Sequence, residues 1–217
     1  MIGDALQIPV PRYSLLPVTF SSLVHSHFNT HVNSTPVVYI LRDGRDVLVS
    51  HFYKALNTAR YGTPVQQKRV LAFHRSIISD FQNLPLEESL LNFYRQWRER
   101  PYGSRVSWGT HVKTWLEDKT PNIHIVRYED MHENPGATLR KVVKELSGID
   151  INDKVVDFSI WRNSFENKTG RSSGENKDDD NRRSGKAGGW RTTLSDNLKE
   201  EFLSDFGDIL ELGNYQT

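Results

Sequence analysis

Arg42 and Ser50 are the two residues of this chain best matched in type and spacing for gripping a phosphate. A guanidinium presents paired N–H donors in a planar fork, and a hydroxyl adds one donor that rotates to suit its acceptor. In RDGRDVLVS the serine lies eight residues after the arginine. For both to reach one phosphate, Arg42 must end a strand and Ser50 must ride the helix that follows. The flanking residues supply both elements. Val37, Val38, Tyr39, Ile40 and Leu41 form a short, β-rich apolar run, and Val47 to Leu56 carry apolar residues at helical spacing. The carboxyl end of a strand running into a helix start is where open α/β sheets bind anions, because free helical amides there carry partial positive charge. With a helix starting near Asp46, Ser50 lies about one turn in. The competing reading is a helix-start salt bridge, with Arg42 paired to Asp43 or Asp46 and binding nothing.

Bulk composition narrows the function class. The 217 residues suffice for a full core in one domain, and 36% hydrophobic with 25% charged residues is ordinary for a folded enzyme-sized chain. Lys plus Arg number 28 against 27 Asp plus Glu, a balance that argues against nucleic acid as the main partner. The absence of cysteine excludes a disulfide framework, a thiolate metal site and a thiol nucleophile. No apolar run approaches the roughly 20 residues needed to cross a bilayer. The opening MIGDALQIPVPRYSLLP has neither a basic region nor a long apolar stretch, so no transmembrane segment and a cytoplasmic location are expected.

Strand and helix signals alternate as in βαβ units. Ser21 to Ser26 reads as a weak strand and Ile123 to Arg127 as a strong one. Helical spacing recurs in VLAFHRSIISDF and LEESLLNFYRQW, joined by Leu84-Pro85, and again in Ser107 to Leu116. Asn134-Pro135 starts a helix that ends near Leu146 to Gly148, and Ser195 caps a last helix through about Leu212. From Glu166 to Gly189 almost nothing is apolar, which predicts a flexible loop.

The segment Arg42 to Ser50 closely resembles the 3′-phosphate-binding motif of sulfotransferases that use 3′-phosphoadenosine 5′-phosphosulfate, in which the arginine and serine of RDxRDxxVS hold the 3′-phosphate. Further resemblances follow in the family's order. SWGTHVKTW and then IHIVRYEDMHENPGATLRKVVKEL match a tryptophan-containing helix, a central strand ending in YED and an NP-started helix. The resemblance implies that Tyr128 contacts the adenine part of the cofactor. NSFEN, Asn163 to Asn167, is similar to the family segment whose phenylalanine packs on the adenine ring, so Phe165 inherits that role; an aromatic neighbour of a base is worth on the order of 1–3 kcal/mol. RSGKAGGWR looks like the family's RxGxxGxW loop over the 3′-phosphate, with Arg183 supplying charge and Gly185 letting backbone amides approach. Taken singly, Tyr128 reads better as a half-buried strand-end tyrosine hydrogen-bonded to a loop, and a lone Phe165 is more often core.

Sulfuryl transfer requires a base to take the acceptor's proton, and histidine suits that step near neutral pH. Family members carry KTH or KSH before the arginine strand; here His25-Ser26-His27 stands in that place, which makes His27 the candidate base, with His25 and His31 as competitors. A zinc site from these histidines lacks a supporting carboxylate, and no metal is expected. The family binds the 5′-phosphosulfate with an amino-terminal PKSGTTW-like loop, whereas residues 1–20 hold no glycine-rich loop, no lysine and no tryptophan. The resemblance therefore runs from about Leu23 to the carboxyl terminus. It implies one P-loop NTPase-like domain over residues 1–217, three-layered α/β/α with a parallel sheet, its first strand and P-loop absent, an atypical segment at 1–20 and a cofactor-covering loop at 166–189. The function implied is transfer of a sulfuryl group from 3′-phosphoadenosine 5′-phosphosulfate to a hydroxyl or amine of a small-molecule, carbohydrate or lipid acceptor. The alternative is an inactive remnant that binds a 3′-phosphonucleotide or a partner. A late start site, a fragment and a real loss all remain open as origins of the short amino terminus, and oligomeric state is not specified.

Overall fold

The structure, a computed structural model, describes residues 1–10, 36–74, 84–175, 177 and 185–217. The expected strand Ser21 to Ser26, the histidines His25, His27 and His31, and Arg183 lie outside the described residues.

The described elements run α1 (Ile2–Ala5), β1 (Val37–Leu41), α2 (Gly44–Tyr61), α3 (Pro64–Phe73), α4 (Leu86–Trp97), α5 (Trp108–Glu117), β2 (Ile123–Arg127), α6 (Tyr128–Glu133), α7 (Pro135–Ser147), α8 (Asp153–Asn163), α9 (Phe165–Thr169), α10 (Trp190–Thr193) and α11 (Asp196–Leu212). They fall into two compact units, one comprising Met1–Leu41 with Asp118–Ser173, the other Arg42–Glu117 with Gly174–Thr217.

In the first unit β1 and β2 pair in parallel, Val37 opposite Ile123 and Leu41 opposite Arg127. The expected βαβ logic is thus present, with a long excursion between the strands. Helix α7 packs against β2, α6 and α8. Its ends are written in the sequence: Ala137 N–H donates to the Asn134 side chain at 3.3 Å, Pro135 takes the first helical position, and Gly148 at φ +71° stops the helix. Ala5, Leu139, Val143 and Val156 form the buried centre, with Ile2, Leu6, Ile151 and Ile160 packed on it.

In the second unit the centre is aromatic. Phe52, Tyr94, Trp97 and Phe202 are each at most 1% exposed. The rings of Trp97 and Trp108 meet Phe206 edge-on at 6.3 and 5.5 Å, and Phe52 meets Phe93 likewise at 5.4 Å. Such pairs add about 0.5–1.5 kcal/mol each to the burial of the rings. Phe93, Tyr94 and Trp97, all from the helical run LEESLLNFYRQW, belong to the core. Tyr94 also ties α4 to α11, its hydroxyl donating to Asp205 at 2.5 Å.

Two boundaries differ from expectation. Residues 165–169 are helical, so the polar segment expected to be loop from 166 onward starts with a helical turn; Ser164 caps it, accepting from Asn167 N–H at 3.0 Å. Helix α3 ends at Phe73, short of the full VLAFHRSIISDF run, whose later residues lie outside the described set.

Candidate functional site

The site is built outward from the start of α2. The helix begins at Gly44, not near Asp46, because Asp43 caps it: Arg45 N–H donates to Asp43 Oδ1 at 2.9 Å. Two consequences correct the sequence reading. Ser50 lies about 9 Å along the helix axis from Gly44, nearly two turns in. And the first-turn amide of Arg45 is spent on its own cap.

A helix-start salt bridge does form at Arg45. Its Nε and Nη2 donate to Asp43 at 3.0 and 2.9 Å, and Nη2 donates again to the Gln216 carbonyl at 2.8 Å. The guanidinium is only 3% exposed and lies 3.8 Å from the centre of the Trp190 ring. A buried charge needs such complete pairing, and the planar guanidinium supplies the stacking face.

Asp46 has a different task. Its carboxylate, 4% exposed, accepts from Gly188 N–H at 2.6 Å and from Trp190 N–H at 3.1 Å. Gly188 has φ +79°, a conformation glycine adopts without Cβ strain, and the turn it makes aims two amides at one carboxylate. The segment RDGRDVLVS and the segment RSGKAGGWR, 142 residues apart at this contact, are therefore joined through Asp46. Ser50 is the next residue on the same helix face, since i and i+4 side chains stand roughly 5–6 Å apart at Cβ. Beside it, His51 Nδ1 accepts from the buried Trp97 indole N–H at 2.9 Å, which places that histidine's remaining proton on Nε2.

Arg42 and Ser50 are both half-buried, and so is Gly185, whose φ of +64° again uses glycine's freedom. All three belong to the second unit. The described donors fit a phosphate: a guanidinium, a hydroxyl, and a loop whose backbone is turned by glycine at two points. Tyr128 and Phe165 belong to the first unit. Tyr128 opens α6 directly after β2 instead of ending the strand, its half-buried ring 4.5 Å from that of His132. Phe165 opens α9, half-buried, with the Arg171 guanidinium 5.1 Å from its ring centre.

Sequence reasoning missed the roles of Asp43, Arg45 and Asp46. An Asp just before a helical apolar pattern is a capping signal, and that much was available. Nothing local points from Asp46 to Gly188. Among the described residues no group of three or more His, Asp or Glu side chains could hold a metal ion, and no helix is long and apolar enough to cross a membrane.

The chain has a parallel strand pair, an arginine directly after β1 and a glycine loop tied to the start of α2. The sulfotransferase domain family matches residues 14–212, and the chain belongs to that family. It is 30% identical to sulfotransferase 1B1 of Canis lupus familiaris over 135 residues, which is 62% of this chain and 37% of the relative. It is 25% identical to sulfotransferase 1E1 of Bos taurus over 209 residues, 94% of this chain and 53% of the relative. The chain thus spans about half or less of the length of these curated relatives. Its fold is shared with mouse sulfotransferase SULT7A1 in a crystal structure complexed with PAP, at a TM-score of 0.58 and 22% identity, covering 82% of this chain and 62% of that one.

Proposed function

We propose that this chain binds 3′-phosphoadenosine 5′-phosphosulfate and serves transfer of its sulfuryl group to a hydroxyl or amine of a small-molecule, carbohydrate or lipid acceptor. The observation that carries the proposal is the tie between α2 and the glycine loop through Asp46, which sets that loop beside the Ser50 face of the helix. In this reading Arg42, Ser50, Gly185 and Arg183 hold the 3′-phosphate, Tyr128 and Phe165 contact the adenine, and His27 takes the acceptor's proton. Arg42 brings the charge-assisted, two-pronged contact, Ser50 a single directional donor, and the loop its backbone amides. Sulfuryl transfer, like phosphoryl transfer, depends mostly on positioning and charge stabilisation, so a firm hold on the 3′ end serves to register the sulfuryl group on its acceptor.

A binding-only role is the second reading.

Titration calorimetry tests the assignment. Arg42→Ala should weaken binding of 3′,5′-diphosphoadenosine on the order of 10- to 100-fold, as expected for loss of a charged hydrogen-bond pair. Adenosine 5′-monophosphate, lacking the 3′-phosphate, should bind both proteins alike. Equal losses for the two nucleotides would remove the 3′-phosphate assignment.

A further inference from the structure

The structure assigns Asp46 as a positioning residue: its buried carboxylate, by receiving the Gly188 and Trp190 amides, fixes the glycine loop in the shape that receives a 3′-phosphate, without itself touching the ligand. The inference rests on the reading of that loop given above.

Three observations lead to it. First, a carboxylate would repel a phosphate, so an acidic residue one turn from Ser50 in a phosphate site needs another employment. Asp46 has one, because both of its oxygens are occupied by loop amides at 2.6 and 3.1 Å. Those bonds hold the negative charge in a backbone cradle, away from the ligand. Second, the two amides lie two residues apart and converge only because Gly188 sits at φ +79°. A Cβ at this position would come within 2.6 Å only of Arg191 Nη1, the movable end of a flexible side chain, so what opposes a larger residue is the positive φ itself, which strains any L side chain. Third, the same loop is gripped from its other side. Trp190 carries Arg45 at 3.8 Å and Arg191 at 4.7 Å from its ring centre, and Arg45 is itself locked to Asp43. Backbone and side chain of one loop are thus held by consecutive residues of one helix start, and Asp43, Arg45 and Asp46 act as a bracket around it.

Asp46→Asn keeps the shape of the side chain but replaces one acceptor oxygen with a donor that faces an amide N–H. The loop should detach locally while α2, capped by Asp43, persists. Binding of 3′,5′-diphosphoadenosine to this variant should fall roughly tenfold or more, the scale of a lost hydrogen bond to a charged group. Adenosine 5′-monophosphate should bind as before. Gly188→Ala leaves the carboxylate intact and disturbs the turn from the loop side, and it should show the same selective loss. Amide exchange at Gly188 and Trp190 should quicken in both variants with α2 unchanged. A folded Asp46→Asn protein with unaltered 3′,5′-diphosphoadenosine affinity overturns the assignment, and so do equal losses for both nucleotides, which would report general damage. If Asp46→Asn does not fold, Gly188→Ala alone decides on the same two readouts. Arg42→Ala separates this inference from its premise: no selective loss there rejects the 3′-phosphate reading itself, whereas a selective loss there with none in the two loop variants rejects only the bracket.

Discussion

Arg42 and Arg45 sit three residues apart in one short motif and differ in burial. Arg45 is buried, doubly bonded to Asp43 and stacked on Trp190, while Arg42 stands half-buried where the strand gives way to the helix. The difference is one of surroundings, since the two side chains are chemically identical. His74 shows the same dependence. It is 2% exposed, and its Nδ1 lies 2.7 Å from Gln96 Oε1; because Gln96 Nε2 donates to the Phe73 carbonyl, that oxygen is an acceptor and the histidine proton sits on Nδ1. Phe93 stacks on the ring at 5.1 Å and Phe73 meets its edge at 4.8 Å. Burial holds the His74 pKa below its ordinary value of 6.5. The unfolded chain therefore takes up a proton near pH 6.5 that the folded chain refuses, and stability must fall as pH drops through that value. The slope from this group is at most about 1.4 kcal/mol per pH unit. Urea unfolding at pH 7.5 and 5.5 should show this loss, and His74→Phe should flatten it; an unchanged slope would assign the effect to other groups.

At the level of elements, the α2 start is a packing joint as well as a ligand segment. A Cβ on Gly44 would lie 2.7 Å from the Trp108 ring of α5, so the motif's glycine admits a tryptophan that a larger residue would expel. Gly44→Ala should destabilise the protein by about 1–3 kcal/mol, the usual cost of overpacking. Thermal melts of Gly44→Ala, Trp108→Phe and the double variant measure this, with the smaller ring expected to recover part of the loss; additive losses would mean that the two positions do not touch. Helix α7 was legible because cap, proline and terminal glycine are local signals. Helix α8 was not. Its Phe158 and Trp161 are 51% and 60% exposed, so apolar residues lie on both faces and the amphipathic pattern is blurred.

For the molecule as a whole, the parallel strand pair and the family match agree with the α/β sulfotransferase fold inferred from motifs. Transfer activity is a property of the full catalytic arrangement, and the proposed base His27 belongs at this scale. With 3′-phosphoadenosine 5′-phosphosulfate and a panel of hydroxyl and amine acceptors, His27→Ala should abolish turnover and keep the nucleotide affinity of the parent chain. Turnover retained in the variant would pass the role to His25 or His31, and an inactive parent that still binds 3′,5′-diphosphoadenosine would favour the binding-only reading.

Strand β1 and the capped helices α7 and α11 follow from short-range rules. Residue propensity, a period of two or 3.6, and caps within a few positions are all visible in a window of a dozen residues. The burial of Arg45 and the attachment of the glycine loop to Asp46 are decided by folding. Each depends on which group, 142 to 171 residues away, arrives to share a buried charge or hydrogen bond. A carboxylate in sequence looks the same whether it faces water, a guanidinium or two amides; only packing removes the water and leaves one of these as its partner.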